Sequence, residues 1–120
     1  MKNDLCQRLF EFAVSTIKIM KQLPMTPESR IIRYQLVKSS TSSGANYEEA
    51  QAGSSKADFI NKVSIALKEM RESNYWIRIL MATNNSNEIL STQLKELENE
   101  SEELKKILGK IVVSSRKAKH

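Results

Sequence analysis

Apolar residues recur every three or four positions along most of the chain, and that period predicts helices. Leu5, Leu9, Phe12, Ile19 and Leu23 form a first row, with polar Thr16 in its gap. Phe10, Val14, Ile17 and Met20 form a second row beside it. A helix that packs on one side needs one stripe; two stripes predict a helix covered on two sides. Asp4 is read as the cap of this first helix, about residues 4–23, and Pro24 stops it. Thr26-Pro27-Glu28 restarts the chain with an N-cap, a first-turn proline and a carboxylate at the positive end of the helix dipole.

The second helix, about 27–52, carries Ile32, Leu36, Ser40, Ser43, Tyr47 and Ala50 on one face. Its middle, Lys38-Ser39-Ser40-Thr41-Ser42-Ser43-Gly44-Ala45, has poor helix propensity and reads locally as a linker. The three/four spacing runs straight through it, and small residues let helix backbones approach. A continuous helix is therefore favoured over a linker. Gly53 is expected to end it in the C-cap manner, and Ser55-Lys56-Ala57-Asp58 fits a capping box.

A third helix, about 56–83, has its main stripe at Phe59, Val63, Ala66, Met70, Ile77 and Met81. Ile60, Ile65, Leu67, Trp76, Ile79 and Leu80 widen that stripe. Asn84-Asn85-Ser86-Asn87 is a turn cluster whose Ser86 or Asn87 caps a fourth helix, about 87–114. Leu90, Leu94, Leu97, Ser101, Leu104, Leu108 and Ile111 make a coiled-coil-like seam along it. Residues 115–120 read as a frayed basic tail. Long helices with short connections must run antiparallel to their neighbours. The expected fold is therefore all-α, one domain, an antiparallel up-down-up-down four-helix bundle.

Composition narrows the chemistry. The 120 residues contain 40% hydrophobic and 28% charged positions, with three Gly and two Pro. That is the profile of a globular helical domain. Cys6 is the only cysteine and His120 the only histidine. No internal disulfide can form, and with its one histidine at the extreme C-terminus no His-based triad or zinc site is expected. No catalytic residue, metal or cofactor is expected. No apolar run approaches the roughly 20 residues of a membrane span, and Met1-Lys2-Asn3-Asp4 does not open a signal peptide. A cytoplasmic protein without membrane contact is expected.

The net charge of +5 favours polyanionic partners. Arg30, Arg33, Lys38, Lys56, Lys62, Lys68, Arg71 and Arg78 lie on the second and third helices. Lys105, Lys106, Lys110, Arg116, Lys117 and Lys119 gather near the end. Together they are the candidate nucleic-acid contacts, able to bind phosphates with steep salt dependence. The competing reading pairs many of them with acids, such as Lys68 with Glu72 and Lys95 with Glu98. Asn46, Glu49, Glu69 and Glu72 are the polar residues expected to meet between helices. A carboxylate metal site there would lack histidine ligands, so a hydrogen-bond network that sets register is preferred.

The segment from Gln35 to Ala50 is followed by Lys56-Ala57-Asp58-Phe59-Ile60 and by Ile65-Ala66-Leu67-Lys68-Glu69-Met70-Arg71-Glu72-Ser73-Asn74-Tyr75-Trp76. It resembles the four-helix-bundle proteins encoded by intervening sequences of bacterial 23S ribosomal RNA genes. The accessory protein of diversity-generating retroelements belongs to the same group. The resemblance covers about residues 5 to 110. It departs at Ser43-Gly44-Ala45-Asn46-Tyr47-Glu48-Glu49, where Ser-Ile-Pro/Ala-Asn-Ile-Ala-Glu-Gly is commoner. It implies a continuous second helix and a homopentamer, with RNA or DNA and a reverse transcriptase as partners of the retroelement members. The expected role is a non-enzymatic homo-oligomeric scaffold. The alternative is a protein-interaction adaptor without nucleic-acid binding.

Overall fold

The computed structural model describes residues 4–53 and 55–118. Met1-Lys2-Asn3, Lys119 and His120 fall outside them, and with them one candidate cation and the sole histidine. Four helices follow one another: α1 (Asp4–Met20), α2 (Pro27–Gln51), α3 (Lys56–Thr83) and α4 (Glu88–Lys117). Each packs on its neighbours in sequence, and α1 closes the circuit against α4. The bundle measures 52 × 22 × 21 Å. Among the described residues there is no strand, and no helix is long and apolar enough to cross a membrane.

The helix starts follow local chemistry. Thr26 Oγ1 accepts from the Ser29 backbone N–H at 3.1 Å, and Ser29 Oγ accepts from the Thr26 N–H at 2.9 Å. Ser55 and Asn87 cap α3 and α4 through the N–H groups of Asp58 and Leu90. These bonds occupy donors that a helix start leaves unpaired. Two expectations at helix ends are corrected. Asp4 stands inside the first turn of α1, not ahead of it. Gly53 does not adopt the left-handed conformation: α2 ends on Ala52 at φ −94°, and no described residue has a positive φ. Gly53 instead leaves room for Asp58, whose Oδ2 would lie 2.6 Å from a Cβ there. At the other end, α4 runs to Lys117, three residues beyond the expected stop.

The core is continuous from end to end. Leu9, Phe12 and Ile19 meet Leu36, Val63, Met70, Ile77 and the α4 seam of Leu90, Leu94, Leu97, Leu104 and Leu108. The seam closes on Val112, with Ile111 only partly buried. Polar residues fill the gaps in the apolar rows, and each is satisfied. Thr16 Oγ1 donates to the Phe12 carbonyl at 2.8 Å within its own helix. Ser39 and Ser73 share a 2.8 Å hydrogen bond between α2 and α3. Ser43 Oγ donates to the Ala66 carbonyl on α3 at 2.7 Å. A side chain as short as serine reaches a neighbouring backbone only when the helices lie close. The residues that read locally as a linker are therefore the contact surface of a continuous helix.

Between α3 and α4 the buried Asn74 is the hub. Its Nδ2 donates to Ser101 Oγ at 2.8 Å and to Glu102 Oε2 at 3.1 Å. Its Oδ1 accepts from Arg78 Nε at 3.0 Å. Between α1 and α4, Arg8 grips Glu100 with two bonds of 3.0 and 2.7 Å. A buried polar group that loses its partners costs about 1–3 kcal/mol. Asn74→Ala should therefore lower stability by about that amount in urea titration, and a wild-type midpoint would refute the hub. The Cβ position of Gly109, inside α4, has no neighbour within 4 Å. Gly109→Ala should raise stability by about 0.5–1 kcal/mol through helix propensity, read as a higher thermal midpoint.

Candidate nucleic-acid interface

Cations can act on a polyanion only where they share a surface, and helical spacing decides which of them do. On α3, Lys68, Arg71, Tyr75 and Arg78 follow one another at intervals of three, four and three, and all four are exposed. On α4, Lys106, Lys110 and Lys117 repeat at four and seven and are likewise exposed. The Asn74–Ser101 bond sets the register between these helices. Six residues before Asn74 stands Lys68; six residues after Ser101 stands Ile107, beside Lys106. The two rows thus meet at Lys68 and Lys106 and extend from there in opposite directions along the bundle. Lys56 joins the far end of the α4 row, where its Nζ donates to the Ala118 carbonyl. Arg116 sits in the last turn of α4.

Two acids near these rows are engaged, while Glu103, three residues before Lys106, is exposed. Glu98 pairs with Lys95 at 2.9 Å, and Glu102 pairs with Lys105 at 3.3 Å while accepting from Asn74. Lys105 is therefore largely committed. Lys68 makes no bridge to Glu72, although the sequence allowed one; Lys95–Glu98 does form. Arg78 is held rather than free: its Nε is bonded to Asn74 and its guanidinium lies 5.6 Å from the Tyr75 ring centre. That ring meets Trp76 edge-on at 5.2 Å. A cation over a ring and a partly exposed tyrosine make a row in which basic and aromatic groups alternate. Such rows serve both phosphates and bases. A structural role accounts for part of the charge, since Arg116 and Lys117 also complement the negative end of α4.

Three expected cations are elsewhere. Arg30, Arg33 and Lys38 line a groove of about 550 Å³ between α1 and α2, together with Lys21. Its floor is Ile17, Met20, Met25, Tyr34 and Val37, and no acidic residue lines it. Arg33 is steadied there by a 2.9 Å contact from Nη1 to Met25 Sδ. Lys62 is half-buried on α3. The thirteen candidate cations among the described residues therefore form no single surface. Lys21 and the groove escaped the sequence reading, and Tyr75, which that reading favours with Trp76 as a core or subunit-interface anchor, is exposed.

The Asn46, Glu49, Glu69 and Glu72 network is corrected. Asn46 Nδ2 donates back to Ser42 of its own helix, to the carbonyl at 2.9 Å and the hydroxyl at 3.2 Å. Glu49 is exposed; Glu69 and Glu72 are half-buried. The polar ties between helices use Ser39, Ser43, Ser73, Asn74 and Ser101 instead. A signal for them existed: Ser73 and Asn74 sit where the α3 stripe skips from Met70 to Ile77. Among the described residues, no group of three or more His, Cys, Asp or Glu gathers as a metal site.

Cys6 borders a second groove with Phe10 and Glu48. Burial pushes its thiol pKa up, and the Glu48 carboxylate adds to the effect. Less thiolate is present near neutrality than in a free cysteine. Alkylation of Cys6 by iodoacetamide at pH 8 should therefore be slower than in an unfolded control. Glu48→Gln, by removing one raising cause, should speed it; an unchanged rate would contradict that electrostatic contribution.

The comparisons with known proteins agree with the fold. The sequence profile of the 23S rRNA-intervening sequence protein family matches residues 1–110. A crystal structure of a protein with unknown function from the S23 ribosomal protein family, from Bacteroides thetaiotaomicron, is 36% identical in sequence. It superposes with a TM-score of 0.79 and covers 90% of this chain and 97% of that one. No curated protein matches significantly.

Proposed function

This chain belongs to the 23S rRNA-intervening sequence protein family, and from that premise we propose that it is a non-enzymatic homo-oligomeric scaffold that binds RNA or DNA along its α3–α4 side. The observation that carries this reading is the pair of exposed cationic rows, Lys68–Arg71–Arg78 and Lys106–Lys110–Lys117, which meet end to end near two acids, Glu98 and Glu102, already paired with lysines. Such a surface attracts phosphates through charge, with little preference for sequence. Tyr75 adds a stacking face for an unpaired base. In a pentamer, the state the family resemblance implies, the charge of +5 per subunit is repeated five times. Repetition turns a modest local attraction into avidity along a strand.

A second reading, a protein-interaction adaptor with reverse transcriptase or another protein as its partner, is favoured by a different observation. Phe10, Ile17, Ile31 and Tyr34 leave apolar surface uncovered on α1 and α2. Apolar patches of this kind mark protein contacts more often than nucleic-acid contacts. The two readings differ in what a salt series reveals.

Fluorescence anisotropy with labelled single-stranded RNA and duplex DNA, run from low to physiological salt, tests the leading reading. Affinity should fall steeply as salt rises, with a log–log slope of about −0.9 per duplex phosphate neutralised. Lys106→Ala/Lys110→Ala/Lys117→Ala should flatten that slope by about 2 to 3. Absence of binding at low salt would sink nucleic-acid recognition and leave the adaptor.

A further inference from the structure

We propose that the basic groove between α1 and α2 receives the N-terminal half of α4 from a second copy of this chain, so that copies join head to tail. The inference rests on the homo-oligomeric part of the function proposed above and names the two faces that meet. Three observations lead to it.

The groove is chemically one-sided. Lys21, Arg30, Arg33 and Lys38 surround an apolar floor, and no carboxylate lines it. Tyr34 on that floor is 65% exposed and Met25 is 54% exposed. An occupant must therefore bring an apolar plug flanked by negative charge. Two grooves cannot face each other across a two-fold axis, because that arrangement sets cation against cation. A symmetric, isologous contact through this surface is disfavoured, and a contact between two different faces remains.

The chain carries a face of the complementary kind. At the start of α4, Glu88, Ile89, Thr92 and Glu96 lie together on the surface. Ile89 is 71% exposed, the highest value among the exposed large hydrophobic residues. Glu88 and Glu96 stand on either side of it, and neither makes a salt bridge with a described residue. An isoleucine between two carboxylates fits an apolar floor between arginines and lysines. Buried at such a contact, Ile89 supplies hydrophobic association and the charges supply register.

Both faces also lie at one height along the bundle. The Arg8–Glu100 pair sets the register of α1 against α4. Nine residues on from Arg8 stands Ile17, in the groove; nine residues back from Glu100 stands Ser91, between Ile89 and Glu96. A copy rotated about an axis parallel to the helices can therefore bring α4 against the groove without sliding along it. Cyclic assembly requires that condition, because a slide at every contact would wind the chain of subunits into an open helix.

Sedimentation velocity of the full chain tests the pairing by exchanging charge. Wild-type protein should assemble at micromolar concentration, whereas Arg30→Glu/Arg33→Glu and Glu88→Arg/Glu96→Arg should each sediment as the 13.7 kDa subunit. Combined in one chain, the four substitutions should restore assembly, because every reversed groove then meets a reversed α4. Ile89→Arg alters a side chain already in solvent, so its subunit should keep a wild-type circular dichroism spectrum while losing assembly. Folded single-face variants that assemble like wild type, or a folded four-substitution variant that stays monomeric, would overturn the pairing while leaving wild-type self-association intact. A groove variant that keeps assembly but loses oligonucleotide binding would assign the groove to nucleic acid and overturn the pairing too. Wild-type protein that is monomeric throughout would remove the oligomer itself.

Discussion

The bundle depends on one requirement: α2 must bring a strip of hydroxyls into the interior and leave none of them unsatisfied. Ser39, Ser40 and Ser43 are fully buried. Serine offers little apolar area, so its burial contributes little by itself. What α2 gains is proximity. With side chains this small, the α3 backbone comes near enough for Ser43 to reach the Ala66 carbonyl and for Ser39 to meet Ser73. Around that close contact the larger residues, Leu36, Met70 and Ile77, seal against one another at full burial. Poor intrinsic propensity over residues 38–45 is thereby overruled by packing. Gly44 does the same service on the neighbouring flank, where the Leu9 Cβ would lie 3.4 Å from an added methyl.

Much of this architecture was legible in the residue pattern, because helices and their starts are set by local rules. The α4 seam, the Thr26–Pro27 restart and the caps at Ser55 and Asn87 all follow from period and side-chain type. The polar interior was harder to read. Asn74 and Asn46 look alike in sequence, yet one joins three groups across two helices and the other serves its own turn. The difference lies in how each helix is rotated about its axis, and only the mutual packing of all four fixes that. The same holds for Gly53, where a neighbouring carboxylate occupies the space beside the missing side chain and the backbone is not left-handed.

The candidate site was legible in its ingredients and not in its arrangement. Counting lysines and arginines identified a basic protein. It could not separate Arg30 and Arg33, which frame an apolar groove, from Lys68 and Lys106, which run along an open flank. Nor could it foresee that Arg78 is tethered to Asn74. Unlike a catalytic centre, a charged surface has no fixed motif, so its map follows from helix register alone.

The dependence of α2 on α3 has a consequence for how the polypeptide emerges from the ribosome. Synthesis delivers α1 and α2 first, before residues 66–73 exist to accept the serine strip. A lone α1–α2 hairpin offers those hydroxyls only water, and its weak central stretch has no packing to hold it. Lasting structure therefore waits until α3 has left the exit tunnel.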